Sequence, residues 1–317
     1  MEYRRLGNTG IMVSRLCFGT LTMGPLQRNL SIAKGVELFD RAFSYGVNFV
    51  DTAELYRTYP YVRGALSLKP DLVICTKSYA YDRKTAEDSF KLATEQLGRD
   101  YIDIFLLHEQ ESEHTIRGHR EALMFLLEMK KKGYIGAVGL STHYIACMEA
   151  ALSYPELDVL FPLINKRGTG IADGGEDGTE RMLRVINRAH EAGRGIIAMK
   201  PLGGGHLIRE RTEALEFVLE KSCIDTIAIG MQSLAEVDYN CAVFSGKTPD
   251  ESAAKKSMGQ SRMLLIQEWC EGCGRCVLRC KNGALSLKNG KAAVDMEKCA
   301  LCGYCAGACP QFFIKVI

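Results

Sequence analysis

The chain alternates between short apolar, β-branched runs and longer segments whose apolar residues recur at helical spacing. The runs fall near Ser14–Gly19, Phe49–Ala53, Leu72–Thr76, Ile102–Leu107, Ala137–Leu140, Val159–Leu163, Ile196–Met199 and Thr226–Ile229. Between them, Ala33–Ser44, Thr85–Leu97, Gly118–Lys132, Thr179–Ala192 and Arg211–Lys221 carry the helical period. Eight strand signals alternating with eight helical ones predict an α/β fold, a (β/α)8 TIM barrel over residues 1–245. That span is close to the ~250 residues usual for such a barrel. A doubly wound sheet is the alternative, but it rarely carries eight such units. No Gly-rich dinucleotide fingerprint follows the first run, which continues Phe18-Gly19-Thr20-Leu21-Thr22. Residues 1–13 read as a hairpin ahead of the barrel, turning through Leu6-Gly7-Asn8-Thr9-Gly10. The pattern breaks after 245. Residues 246–260 are polar and charged and are expected to be a linker, and 261–317 a small α+β domain with a hairpin over Ala284–Val294.

Composition narrows the class. With 25% charged and 47% hydrophobic residues and a net charge of +2, the chain has an ordinary globular balance. Neither nucleic acid nor an anionic membrane is expected as a partner. No stretch reaches the ~18 apolar residues of a membrane span, and the N-terminus lacks the apolar core of a signal peptide. Thirteen cysteines in such a chain imply a reducing, cytoplasmic setting and metal clusters rather than a disulfide framework. Five of them, Cys17, Cys75, Cys147, Cys223 and Cys241, sit singly in apolar contexts and are expected to be buried packing residues.

The other eight form two runs, Cys270, Cys273, Cys276, Cys280 and Cys299, Cys302, Cys305, Cys309, each C-x2-C-x2-C-x3-C. The spacing suits iron–sulfur clusters, because a cuboidal cluster can take three thiolates from one tight loop. A single zinc usually takes two ligands from a loop and two from elsewhere. Two zinc sites or disulfides are the plainer alternatives. The runs resemble the ligand pattern of bacterial two-cluster ferredoxins, in which the fourth cysteine of each run serves the other cluster. That resemblance implies one [4Fe–4S] cluster on Cys270, Cys273, Cys276 and Cys309, and a second on Cys299, Cys302, Cys305 and Cys280. One departure is that Lys281, not proline, follows Cys280. A domain this short lacks an adequate apolar core, so the clusters are expected to supply much of its folding energy. Trp269, beside Cys270, is expected to pack near a cluster.

In a barrel, chemistry belongs at the C-terminal ends of the strands. There the chain places Asp51, Tyr56, Lys77 and His108. A phenol ionises near ~10 and shuttles protons poorly at neutral pH. A lysine cation beside it stabilises the phenolate, an aspartate holds the lysine, and a histidine can hydrogen-bond a carbonyl oxygen. Taken singly, Lys77 could be a structural ion pair and His108 a satisfied core residue. Residues 2–245 resemble the aldo/keto reductase superfamily through Leu6-Gly7-Asn8-Thr9-Gly10, Asp51-Thr52-Ala53-Glu54-Leu55-Tyr56, Gly64, Lys77, His108, Gly139-Leu140-Ser141 and Pro201-Leu202-Gly203. The resemblance implies a catalytic tetrad of Asp51, Tyr56, Lys77 and His108, with Tyr56 as general acid, acting on a small-molecule carbonyl or alcohol.

The family binds a nicotinamide dinucleotide, and here the pattern departs. Ser141 and Asn165 match the residues that hold the amide, whereas Thr142 and Phe161 replace the usual Asn and Gln. Met199 replaces an aromatic, ahead of Lys200-Pro201-Leu202 and Gly203. At the adenosine end, with Ser233 in the same stretch, Asn240 matches the adenine-holding Asn. Glu236 and Gly230 fall where members preferring NADP carry Arg and Lys. A carboxylate there repels a 2′-phosphate and can accept from a free 2′-hydroxyl. NAD(H) is therefore expected over NADP(H). Gly203-Gly204-Gly205 is expected to approach a pyrophosphate, a plain turn being the alternative. Gly168–Gly178 reads equally as a lid or as solvated loop. Three functions remain open. One is an oxidoreductase exchanging electrons through its clusters, with a redox partner such as a ferredoxin or flavodoxin. A second is an NAD(H)-dependent reductase whose cysteine domain is structural or docks partners. The third is an electron carrier with an idle barrel.

Overall fold

The computed structural model describes residues 1–250, 263–311 and 313–316. Two short strands, β1 (Tyr3–Arg5) and β2 (Met12–Ser14), pair antiparallel as the expected hairpin. Eight strands follow: β3 (Leu16–Gly19), β4 (Phe49–Asp51), β5 (Val73–Ser78), β6 (Ile102–Gln110), β7 (Ile135–Thr142), β8 (Val159–Pro162), β9 (Gly195–Met199) and β10 (Thr226–Gly230). They are hydrogen-bonded in parallel in chain order, and β10 returns to β3 through Ile227 opposite Leu16, closing the barrel. Each run read from the sequence became one strand, because each is buried and too short for a helix.

Two layers of core explain the pattern. Cys17, Phe49, Cys75, Ile104, Leu106, Val159, Phe161 and Ile197 fill the barrel interior, while the outward side chains of the same strands pack under the helices. The helices start at polar caps: Ser31 accepts from the Lys34 N–H, and Asp82 forms a capping box with Thr85. The N-terminal hairpin closes the bottom, its Leu6 and Val13 joining the interior core. Gly7, at φ +49, lies so close to Gly195 that a Cβ would come within 2.3 Å of that backbone nitrogen. The bottom being sealed, only the C-terminal mouth can admit a ligand. All five isolated cysteines are buried, as expected.

The small domain has two strand pairs, β11 (Leu264–Ile266) with β14 (Ile314–Val316), and the hairpin β12 (Leu285–Lys288) with β13 (Lys291–Val294). The hairpin turns at Asn289 and Gly290, both at positive φ, as a two-residue turn demands. Two five-residue helices, Arg275–Arg279 and Tyr304–Ala308, follow the first cysteines of each run. The expected linker lies mostly outside the described residues. Among those described, no helix is long and apolar enough to cross a membrane.

Candidate active site

Asp51 is the last residue of β4, and the chain then turns through a 3-10 segment, Glu54–Tyr56. The Thr58 hydroxyl bonds to those of Thr20 at 2.7 Å and Thr52 at 2.8 Å, all buried, which pins the loop carrying Tyr56. From β5, Lys77 Nζ donates to Asp51 Oδ1 at 2.5 Å and to the Thr52 carbonyl at 2.7 Å. The same ammonium lies 4.9 Å from the centre of the Tyr56 ring. His108, from β6, meets Tyr56 edge to face with ring centres 5.6 Å apart. The four residues expected from the sequence thus line one cavity of about 180 Å³ at the barrel mouth.

Burial sets their electrostatics. It works against the Lys77 charge, but Asp51 and Tyr56 outweigh it and hold the ammonium protonated. Tyr56 is pushed up to about 12 by burial, with Lys77 pulling the other way. The lysine effect expected from the sequence is present but smaller than desolvation. Burial also drives the His108 imidazole well below its usual range, so it is neutral, and its Nδ1 is buried without a partner. A neutral imidazole can hydrogen-bond a ligand but carries no charge to act as a cationic acid. Tyr79 stacks on it, centres 4.5 Å apart, and gives its hydroxyl proton to a hydrogen bond with Glu109. Glu109 adopts a left-handed φ of 48° where the register of β6 and β7 shifts, which turns its carboxylate into the cavity.

The cavity continues past Ser141, Phe161, Met199, Lys200, Pro201 and Leu202 to Gly230, Glu236 and Asn240. Four expected contacts do not line it. Thr142 donates to the Gln110 carbonyl and accepts from Tyr144 N–H. Asn165 spends its amide on Thr169, Lys200 and Arg167 backbone groups. Ser233 caps the helix Leu234–Phe244, and Gly203 is turned towards Thr169 and Leu207. The amide-holding set is therefore not assembled. Ser141 and Phe161 face the cavity, the Ser141 oxygen accepting from Glu109 N–H. Within Gly168–Gly178 both Asp173 oxygens accept from Ile145 and Ala146 N–H groups, and no residue of the segment lines this cavity.

The roof comes from the small domain. Ala300, Leu301, Cys302 and Tyr304 line the same cavity as the tetrad. A Cβ on Gly204 would meet the Ala300 carbonyl oxygen at 2.3 Å, so the glycine face expected to approach a pyrophosphate receives the small domain instead. Gln27 Nε2 donates to the Leu301 carbonyl at 3.1 Å, His206 bonds the Cys299 carbonyl, and Lys281 pairs with Glu111 at 2.5 Å. Tyr304, Arg279, His143 and Arg211, which lies 3.6 Å from the Tyr239 ring centre, were not expected from the sequence. Tyr304 and Arg279 are brought by docking of the small domain, whereas His143 follows β7 and Arg211 begins a barrel helix.

The eight cysteines separate around two cavities. Cys270, Cys273, Cys276 and Cys309 line one; Cys280, Cys299, Cys302 and Cys305 line the other. Backbone N–H groups of Ala284, Ala292 and Phe313 donate to the sulfurs of Cys280, Cys270 and Cys309 at 3.3, 3.4 and 3.3 Å, a donor set suited to thiolate ligands. Among the described residues, no three Cys, His, Asp or Glu converge as a single metal ion would require. Trp269 is 62% exposed and rests edge-on against Phe313 rather than lining either cavity.

A closed parallel barrel with acid–base side chains at its C-terminal mouth, roofed by a cysteine-rich domain, defines a redox enzyme of two modules. Residues 15–217 match the aldo/keto reductase family and 269–312 a 4Fe-4S dicluster domain, and the chain belongs to the aldo/keto reductase family of oxidoreductases. L-galactose dehydrogenase of Arabidopsis thaliana is 24% identical, over 76% of this chain and 88% of its own length. The 4Fe-4S region is similar to part of an ion-translocating oxidoreductase complex of Methanosarcina acetivorans. The matching component of that complex is 40% identical over 58 residues, which are 18% of this chain and 22% of that one. An aldo-keto reductase from Bacillus halodurans shares the fold, with a TM-score of 0.64 at 20% identity, covering 82% of this chain and 95% of its own.

Proposed function

We propose that this chain is an oxidoreductase acting on a carbonyl or alcohol at the barrel mouth, with Tyr56 as general acid/base and electrons exchanged through two [4Fe–4S] clusters. In this reading the barrel is residues 1–245, joined through 246–260 to a cluster domain at 261–317. Cys270, Cys273, Cys276 and Cys309 would hold one cluster; Cys299, Cys302, Cys305 and Cys280 the other. When bound, the clusters would supply or accept single electrons. The observation that carries the proposal is the shared cavity: the tetrad and Cys302 line the same space.

Reduction of one carbonyl takes two electrons, which the clusters would relay one at a time from an external one-electron donor, and two protons, drawn in the end from solvent. Tyr56 supplies the proton that finishes on oxygen, and the Lys77 charge offsets the phenolate left behind. Neutral His108 orients the carbonyl by hydrogen bonding. Asp51 keeps Lys77 charged and in place. The roof excludes water, which strengthens each of these interactions.

A second reading, an NAD(H) reductase with a structural cluster domain, rests on the cavity's extension to Glu236 and Asn240. The nicotinamide end fits it poorly, since Thr142 and Asn165 are engaged elsewhere. Should a dinucleotide bind, Glu236 favours NAD(H) over NADP(H). An anaerobic titration of the full-length, cluster-loaded protein with NADH and NADPH, following cluster bleaching and nicotinamide absorbance together, separates the readings. Absence of binding supports the clusters as electron source. NADH binding without bleaching overturns it in favour of the second reading, and tighter binding of NADPH than NADH removes the Glu236 argument.

A further inference from the structure

The small domain places one side chain against the tetrad. Tyr304 lies between Cys302 and Cys305 and lines both the barrel cavity and the cavity of the second cysteine set. Its ring meets His108 edge-on with centres 6.4 Å apart, and the Arg279 guanidinium lies over it, 5.1 Å from the ring centre. Tyr56 meets the same His108 ring at 5.6 Å between centres, both tyrosines line the one cavity, and Tyr304 acts to lower the Tyr56 ionisation as a hydrogen-bond donor would. Resting on the reading of Tyr56 as the acid, we propose that Tyr304 is a fifth working residue of the barrel site, donating a hydrogen bond to the Tyr56 oxygen and limiting with its ring the size of carbonyl compound that reaches the tetrad.

Tyr56 oxygen is neutral before reaction and gains negative charge as its proton leaves. A donor fixed beside that oxygen gains strength in step with the charge, so it assists the transition state more than the bound substrate. Lys77 lies 4.9 Å from the centre of the Tyr56 ring and is itself bonded to Asp51 and the Thr52 carbonyl. Tyr304 is placed to be that donor. The burial that raises the Tyr56 ionisation makes such a donor more valuable.

The ring of Tyr304 also has a consequence for substrate size. Its ring is flanked by His108 and Arg279, and the preceding residue, Gly303, packs against the barrel. A Cβ on Gly303 would come within 2.6 Å of the Leu26 carbonyl oxygen. The ring thus sits beside a close contact between the domain and the barrel. The space between the ring and Tyr56 is therefore the gauge, and the cluster domain is part of the substrate site rather than a detachable accessory.

The test uses the full-length, cluster-loaded protein and four forms: wild type, Tyr304→Phe, Tyr304→Ala and Tyr56→Phe. Propionaldehyde and 4-nitrobenzaldehyde serve as small and bulky probes, with electrons from reduced methyl viologen. Isobutyramide and benzamide, unreactive carbonyl compounds, give dissociation constants by calorimetry, and cluster absorbance checks that the domain is intact. Tyr304→Phe keeps the ring and loses the donor: kcat falls about tenfold on both aldehydes while KM and amide binding hold. Tyr304→Ala shifts the benzamide-to-isobutyramide preference about tenfold towards benzamide, with the same shift in KM between the aldehydes. Wild-type kcat in Tyr304→Phe, with Tyr56→Phe inactive, overturns the donor role alone; an unchanged amide preference in Tyr304→Ala overturns the gauge. Undiminished turnover in Tyr56→Phe marks instead the failure of the acid–base reading on which both depend.

Discussion

In the barrel, Lys77 and His108 extend from strands whose neighbours are Phe49, Ile104, Leu106 and Phe161, an apolar interior that exists whether or not a ligand is present. In the small domain, the buried core is Leu264, Ala284, Leu285, Ala292, Leu301, Ile314 and Val316 together with Cys276, Cys299, Cys305 and Cys309. Four of those eleven side chains are proposed ligands. The barrel can hold its tetrad by packing alone; the small domain must borrow its rigidity from what its cysteines bind. Yet Tyr304, on the borrowed scaffold, stands against Tyr56, on the independent one. The site is only as well ordered as its weaker half.

Stripping the clusters breaks this comparison most directly. Chelation with oxidant is expected to abolish amide protection in β11 and β14 completely, while β6 and β7 keep theirs, as read by hydrogen exchange. Protection surviving in β11 without clusters would show that the small domain folds on its own core. Next in size is Lys77→Met. It leaves Asp51 buried without its partner, so stability falls by about 3–5 kcal/mol in urea unfolding. Turnover drops by about 10²–10⁴-fold, with cluster absorbance unchanged. A variant of full stability would mean that the 2.5 Å pair is solvated in a way its 2% and 8% side-chain exposures do not suggest.

A smaller effect tests the seam between the halves. Gly303→Ala puts a methyl at a left-handed φ of 77° and against the Leu26 carbonyl. The strain costs about 1–2 kcal/mol. Exchange of the Gln27 side-chain amide is expected to rise about tenfold, because its bond to the Leu301 carbonyl depends on the same contact. Unchanged exchange there would mean that the roof is held elsewhere, through Lys281 and Glu111.

What could be read in the sequence follows the same division. The eight strands, the tetrad and the cysteine runs are local signals, carried by apolar period, strand ends and fixed spacing. Tyr304 has no such signal, since a residue between two ligand cysteines says nothing of what faces it until the domain docks. Asn165 and Thr142 misled for the converse reason. They stand at plausible positions, but the β8 loop and the shifted register at Glu109 consume their polar atoms. Asp173 is similar, its carboxylate committed to a neighbouring helix that sequence proximity does not reveal. Side chains whose roles lie within their own strand were legible, and those defined by a second element were not.

The smallest expected effect concerns pH and sharpens the comparison at Tyr56 itself. Reduction needs the phenol protonated. A phenol ionising near ~10 would begin to cost activity at about pH 9. With Tyr56 pushed up to about 12, reduction rates are expected to stay level through about pH 10 and decline only above it. The sign follows from burial, which disfavours the phenolate, and from Asp51 and Glu109, whose charges act in the same direction; Lys77 and the Tyr304 donor oppose them and lose. His108 is neutral across that range and adds no inflection on the alkaline side. A pH–rate profile of kcat, measured with cluster absorbance constant, checks this. A fall beginning at about pH 8 would mean that the lysine, not desolvation, governs the phenol, and the roof contributed by the small domain would then exclude less water from the barrel than its contacts imply.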